Sequence, residues 1–136
     1  MNLADHAAPA AASPRERLAL LGIVVPPPPP PIANFLTHVQ EGSLLFLSGQ
    51  GPREADGKVG SEVSADQAYA HARRTGINLL SVMQGVLGDL GRVKRVVKLL
   101  GMVNASPDFD DHPSVINGCS DLFVDVFGVR GSHARS

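Results

Sequence analysis

With 136 residues the chain is long enough to bury one real core and too short for a core that divides, so a single globular unit with a tail is expected. Hydrophobic residues at 43% and charged residues at 18% exclude intrinsic disorder as the general state. Twelve Lys+Arg against thirteen Asp+Glu leave a formal charge of -1, which gives no global field to draw in nucleic acid or an anionic membrane and suits a small polar ligand better.

Residues 1–12, alanine-rich and without periodicity, are read as a mobile tail, and 13–136 as the folded domain. Ser13-Pro14-Arg15-Glu16 combines a capping hydroxyl, proline at the first helical position and a glutamate three residues on, which predicts a short helix to about Leu21 with Gly22 as its left-handed stop. That helix accounts for the apolar Leu18 to Val25 better than a signal peptide does, since the segment ends in prolines without a small-residue cleavage motif. Pro26 to Pro31 is read as polyproline II. It could serve as a ligand for an SH3-like groove, but a stiff connector is the preferred reading, because spacing is what such a run does unaided.

Phe35 to Val39 and Leu44 to Leu47, separated by Gln40-Glu41-Gly42-Ser43, predict a hairpin. A polar loop from Arg53 to Gly60 leads into a short return strand. Ser64-Ala65-Asp66-Gln67 is a second capping box, and from it Ala68, Ala72, Leu79, Leu80, Met83, Val86 and Leu87 recur at helical spacing as far as Gly88. The valine-rich segment from Arg92 to Val103 is read as a strand. Pro113 then opens a second long helix whose stripe, Val115, Ile116, Cys119, Leu122, Phe123, Val126 and Phe127, ends at Gly128. The result is an α+β layer with two helices packed on one face of a mixed sheet. Only Ser132 to Ser136 remain for a further strand, so an exposed sheet edge is expected.

Cys119 is the only cysteine, which rules out an intrachain disulfide and a multi-cysteine metal site and points to a reducing compartment, the cytoplasm. It lies on a buried stripe and is read as a core residue, not a nucleophile. No stretch approaches bilayer-spanning length. His38 and His71 are read as surface residues.

Several segments in order resemble the Rid/YjgF family, also called the L-PSP endoribonuclease family: Gly42 to Pro52 with its Ser48-Gly49-Gln50-Gly51-Pro52 turn, Asn78, Gly91 to Lys98, Phe109, Asn117, Phe127 and the terminal Ala134-Arg135-Ser136. Ile116 to Leu122, Phe127-Gly128 and His133-Ala134-Arg135-Ser136 resemble a bacterial branch with HARS in place of PARS. The resemblance covers about Leu21 to the end. It implies a chorismate-mutase-like fold, a homotrimer with sites between subunits, and hydrolysis of reactive enamine and imine acids such as 2-aminoacrylate and 2-iminopropionate to a 2-oxo acid and ammonia, with no cofactor and no metal.

On that resemblance Arg135 is the anchor for the substrate carboxylate, a role suited to a planar guanidinium that donates two parallel bonds and keeps its charge. Phe35 stands where well-known deaminases have a pocket tyrosine; without a hydroxyl it packs against a ligand but cannot hydrogen-bond to it. Ser48 has two readings, a pocket wall or simple turn chemistry. His133, beside the anchor, is either a proton relay or a solvated chain-end imidazole, and the latter is the commoner case. Family members continue past the ARS motif into two closing strands, the second carrying a glutamate that positions water. The expectation is therefore a form lacking the last two strands and impaired as an enzyme by itself. The rival readings are a non-catalytic small-carboxylate-binding or regulatory protein and, last, an endoribonuclease, for which 4% aromatics and no net positive charge are a poor basis.

Overall fold

The computed structural model describes residues 12–53 and 55–136. The expected tail lies outside the described residues except for Ala12, which is buried. Helix α1 spans Pro14–Leu21: the Ser13 hydroxyl accepts the Glu16 amide at 3.1 Å, and Gly22 takes φ +69° to end it. Leu18 enters the core, and buried Arg17 donates its Nε–H to the Ala12 carbonyl at 3.2 Å. The proline run then passes α2, with Pro28 lying against Gly85.

Strands β1 (His38–Glu41) and β2 (Leu44–Leu47) form the hairpin, antiparallel with Val39 opposite Phe46. Its turn is tighter than expected. Gly42 at φ +60° allows a two-residue connection, so Gln40 and Glu41 join the ladder while Phe35 and Leu36 fall outside it. The expected return strand shrinks to single pairings of Val59 with Val63 and Ala105. Gly57 at φ +113° and Gly60 at φ +91° reverse the chain on either side of Val59 and leave no length for a strand.

Helix α2 runs Ala65–Leu87 behind the complete capping box: the Gln67 amide donates to Ser64 Oγ at 3.1 Å, and the Ser64 amide to Gln67 Oε1 at 2.9 Å. Helix α3 runs His112–Phe127 with proline in its first turn and Gly128 as its stop. The two helices approach closely at small residues: Gly76 faces Leu122 and Cys119, and a Cβ on Gly118 would run into the Tyr69 carbonyl. Leu80, Leu122 and Val126 are fully buried between them. Polar links fix the pairing, with the Tyr69 hydroxyl donating to Asp121 at 2.7 Å and Arg73 lying 3.5 Å from fully buried Asp125. A smaller cluster of Val59, Val63, Ala68 and Val115 closes the start of α2.

Of the expected strand over 92–103, only Lys98–Leu99 (β3) is regular, pairing in parallel with β4 (Ala134–Arg135). Backbone bonds extend this contact, from the Val96 amide to the Arg130 carbonyl at 2.8 Å and from the Gly101 amide to the Ser136 carbonyl at 2.7 Å. The α+β class therefore holds, but among the described residues the sheet is two two-stranded pieces, not one mixed sheet. The reason is competition for partners: Ser48 after β2 bonds back to Leu36 and Thr37, while the β3 segment bonds to the chain end. Both pieces still present one face to the same helices, since Leu47, Val93, Val96 and Leu99 pack against the Leu80–Leu122–Phe123 core.

Candidate functional site

The strand β4 brings the chain end across α3. Arg135, half-buried, is tied down by that helix: Nη1 donates to Asn117 Oδ1 at 2.8 Å and Ser120 Oγ at 3.1 Å, and Nη2 donates to the Pro113 carbonyl at 3.1 Å. A guanidinium has five N–H donors, so Nε–H and one Nη2–H are left without a partner among the described residues, two charge-assisted donors available to a carboxylate. Pro113, Asn117 and Ser120 recur at the spacing of one helical face, beside the buried stripe of Val115, Cys119, Leu122 and Val126. Asn117 and Ser120 were legible only as letters in a motif; that polar spacing next to an apolar stripe is the signal that finds them.

His133 precedes β4 and is half-buried, not a solvated chain-end ring. Its Nδ1 bonds to the Gly131 carbonyl, its Nε2 lies 2.9 Å from Ser120 Oγ, and its ring meets Phe123 edge-on at 6.0 Å. A carbonyl can only accept, so Nδ1 carries the proton. In the neutral ring Nε2 then accepts from the Ser120 hydroxyl, whose oxygen accepts from Arg135. The three side chains form one directed chain of hydrogen bonds. Ser120, Val124, Ser132, His133 and Arg135 line an open hollow of 290 Å³. A larger hollow of 470 Å³, at the start of α1 between Pro14, Phe127 and Arg130, contains none of the candidate residues.

Phe35 and Ser48 occupy a different place. Phe35 is 45% exposed before β1, and Ser48 closes the open end of the hairpin, its hydroxyl donating to the Leu36 carbonyl and its amide to the Thr37 carbonyl at 3.0 Å. No hydrogen bond among the described residues joins this pair to Arg135 and His133. His38 and His71 are half-buried; His38 Nδ1 lies 3.2 Å from the Thr37 hydroxyl. Cys119 is a buried core residue whose thiol is pushed up to about 12 by burial, against a smaller opposite pull from the Arg135 charge. Such a thiol is inert near neutral pH. Among the described residues no group of three or more His, Cys, Asp or Glu side chains could hold a metal ion, and no helix is long and apolar enough to cross a membrane.

A small α+β domain with an anchored, half-buried arginine over a hollow is thus the class of protein that the fold and the site define. Residues 15–136 match the family described as "YjgF/chorismate mutase-like, putative endoribonuclease". The chain is 42% identical over 124 residues to protein TCP17 of Trypanosoma cruzi, covering 87% of this chain and 78% of that one. Two solved structures are also similar. A "putative endoribonuclease" of Shewanella oneidensis has a TM-score of 0.88 and 29% identity, covering 91% of this chain and 85% of its own. A protein of unknown function from Agrobacterium tumefaciens has a TM-score of 0.83 and 35% identity, covering 93% and 82%. The chain belongs to the YjgF family, and its fold is the YjgF-like one.

Proposed function

We propose that this protein hydrolyses reactive enamine and imine acids of the 2-aminoacrylate and 2-iminopropionate type to a 2-oxo acid and ammonia, with the substrate carboxylate on Arg135. The observation that carries the reading is the arginine itself: three bonds to α3 fix its plane, and two donors remain beside a hollow large enough for a small acid. A carboxylate held by a fixed fork places the imine carbon at a defined distance from water in the hollow, and positioning of this kind supplies a large part of a hydrolytic acceleration. Cytoplasm, where the single thiol stays reduced, is the compartment that fits.

A homotrimer completes the reading. Val39, Leu44 and Phe46 on the hairpin and Val97, Leu100 and Met102 around β3 are exposed apolar side chains, a surface suited to contact with further copies. In such an assembly Phe35 and Ser48 of one copy would serve the Arg135 site of the next. A non-catalytic carboxylate binder is the second reading, favoured by Phe35, which offers no hydroxyl to the ligand. The names of the family and of the similar Shewanella protein suggest RNA cleavage, against which stand the scarcity of aromatics and the charge of -1.

The test is 2-oxo acid release from freshly generated 2-iminopropionate. The protein should accelerate it and Arg135→Ala should return the rate to the uncatalysed one. A folded protein that gives no acceleration refutes the deaminase and leaves the binder; RNA degradation that survives Arg135→Ala would revive the nuclease.

A further inference from the structure

We infer that His133, acting through the Ser120 hydroxyl, takes the proton of the attacking water and returns it to the departing nitrogen. This rests on the deaminase reading and adds to it the proton-moving group that a positively charged anchor cannot be. The geometry is that of a base and its carrier. Ser120 Oγ lies 2.9 Å from His133 Nε2 and 3.1 Å from Arg135 Nη1, so the hydroxyl stands between the imidazole and the carboxylate anchor, and all three side chains line the same hollow. The Gly131 carbonyl holds the proton on Nδ1 and the Phe123 edge holds the ring plane, which leaves the basic Nε2 aimed at Ser120. A serine hydroxyl has one proton to pass on and two lone pairs; Arg135 occupies one, and the other is open to a water in the hollow.

The charged groups along this stretch of chain include Arg135 on β4, which reaches the ring through Ser120, Arg95, whose Nη2 donates to the Ser132 carbonyl at 3.2 Å, and Arg130 in the preceding turn, which donates to the Val93 carbonyl at 3.0 Å. From α3, Ser120 and Phe123 meet the ring and Val124 lines the hollow, all three uncharged. The step balances as follows. Water oxygen bonds to the carbon of the protonated imine, one water proton moves to Ser120 as the serine proton moves to Nε2, and a neutral carbinolamine results. The imidazolium then returns that proton through Ser120 to the amine. The C–N bond breaks as the C–O double bond forms, and the hydroxyl proton leaves with ammonia as ammonium.

Steady-state hydrolysis of 2-iminopropionate by the full chain and its variants tests this. His133→Gln keeps an acceptor for the Ser120 hydroxyl but no titratable ring. It should lower kcat about 100-fold or more, the usual size of a lost acid–base group, with KM within about twofold. It should also abolish the acid limb of the kcat–pH profile. Ser120→Ala should lose kcat similarly while keeping the Asn117 and Pro113 bonds to Arg135. Added imidazole should restore part of the activity of His133→Ala, a rescue that a merely misfolded variant would not show. A wild type that depends on Arg135, together with a His133→Gln variant that retains its kcat and pH profile, overturns the relay and leaves the deaminase. A wild type with no acceleration overturns both.

Discussion

The helix pair α2–α3 and the hairpin β1–β2 treat apolar side chains in opposite ways. Between the helices Leu80, Leu122 and Val126 lose all contact with water, glycines let the backbones meet, and the buried carboxylate of Asp125 has Arg73 beside it. The hairpin turns Leu45 and Leu47 inward but leaves Val39, Leu44 and Phe46 at 50, 50 and 60% exposure on its other face. One region is finished within the chain. The other leaves apolar surface open to solvent. The anchor belongs to the first region and the Phe35–Ser48 pair to the second, so the two halves of the expected site differ in what holds them.

That contrast can be broken or sharpened by measurement. The largest effect is expected at Asp125: Asp125→Ala leaves the Arg73 charge without its buried counterpart and should cost about 3–5 kcal/mol in denaturant unfolding. A loss below about 1 kcal/mol would show that the ion pair does not secure the helices. Next comes a matched pair of truncations. Leu122→Ala should cost about 2–5 kcal/mol, the range for a fully buried leucine. Phe46→Ala should change the stability of the isolated chain by less than about 0.5 kcal/mol, as for an exposed site. Light scattering should reveal its effect as weakened association instead. Equal losses in unfolding from both truncations would erase the distinction between the regions.

The smallest effect is a pH slope confined to the helix pair. Burial pushes Cys119 up to about 12, and burial with the bond to Asp121 pushes Tyr69 up to about 12. The unfolded chain releases both protons at ordinary values, about 8.5 for a thiol and about 10 for a phenol. The folded state thus holds protons that the unfolded one loses, and stability, complete below pH 8, should fall as pH rises from about 9 towards 12. Urea melts across this range check the slope, and Cys119→Ala should remove the thiol's share and leave that of Tyr69. Thiol labelling of Cys119 near pH 8 should be negligible until the protein is unfolded.

Much of the helical half was legible in the residues. Ser13 and Ser64 announce their helices by local hydrogen bonds, Gly22, Gly88 and Gly128 end them, and the stripe of α3 names its core nearly residue for residue, whereas that of α2 gives Ala68, Leu80 and Met83 but leaves out buried Val82. The strands were less so. Val-rich 92–103 has strand composition throughout, yet only Lys98–Leu99 is regular, because a strand exists only where another segment offers its hydrogen bonds. Of the site, Arg135 and His133 were legible as a motif and lie together. That Asn117, Ser120, Gly131 and Pro113 would be their partners was not, since nothing local to residue 135 names the helix face on which it will rest.

Two kinds of decision are therefore separable in this protein. The caps of α1 and α2 and the stops of all three helices rest on contacts within a few residues, and these, with the apolar periodicity of α2 and α3, the sequence by itself determined. Strand length, the division of the sheet and the bonding of Arg135 through Ser120 to His133 depend on which distant groups compete for the same donors and acceptors. That competition is resolved only when α3, the β3 segment and the chain end are brought together in space.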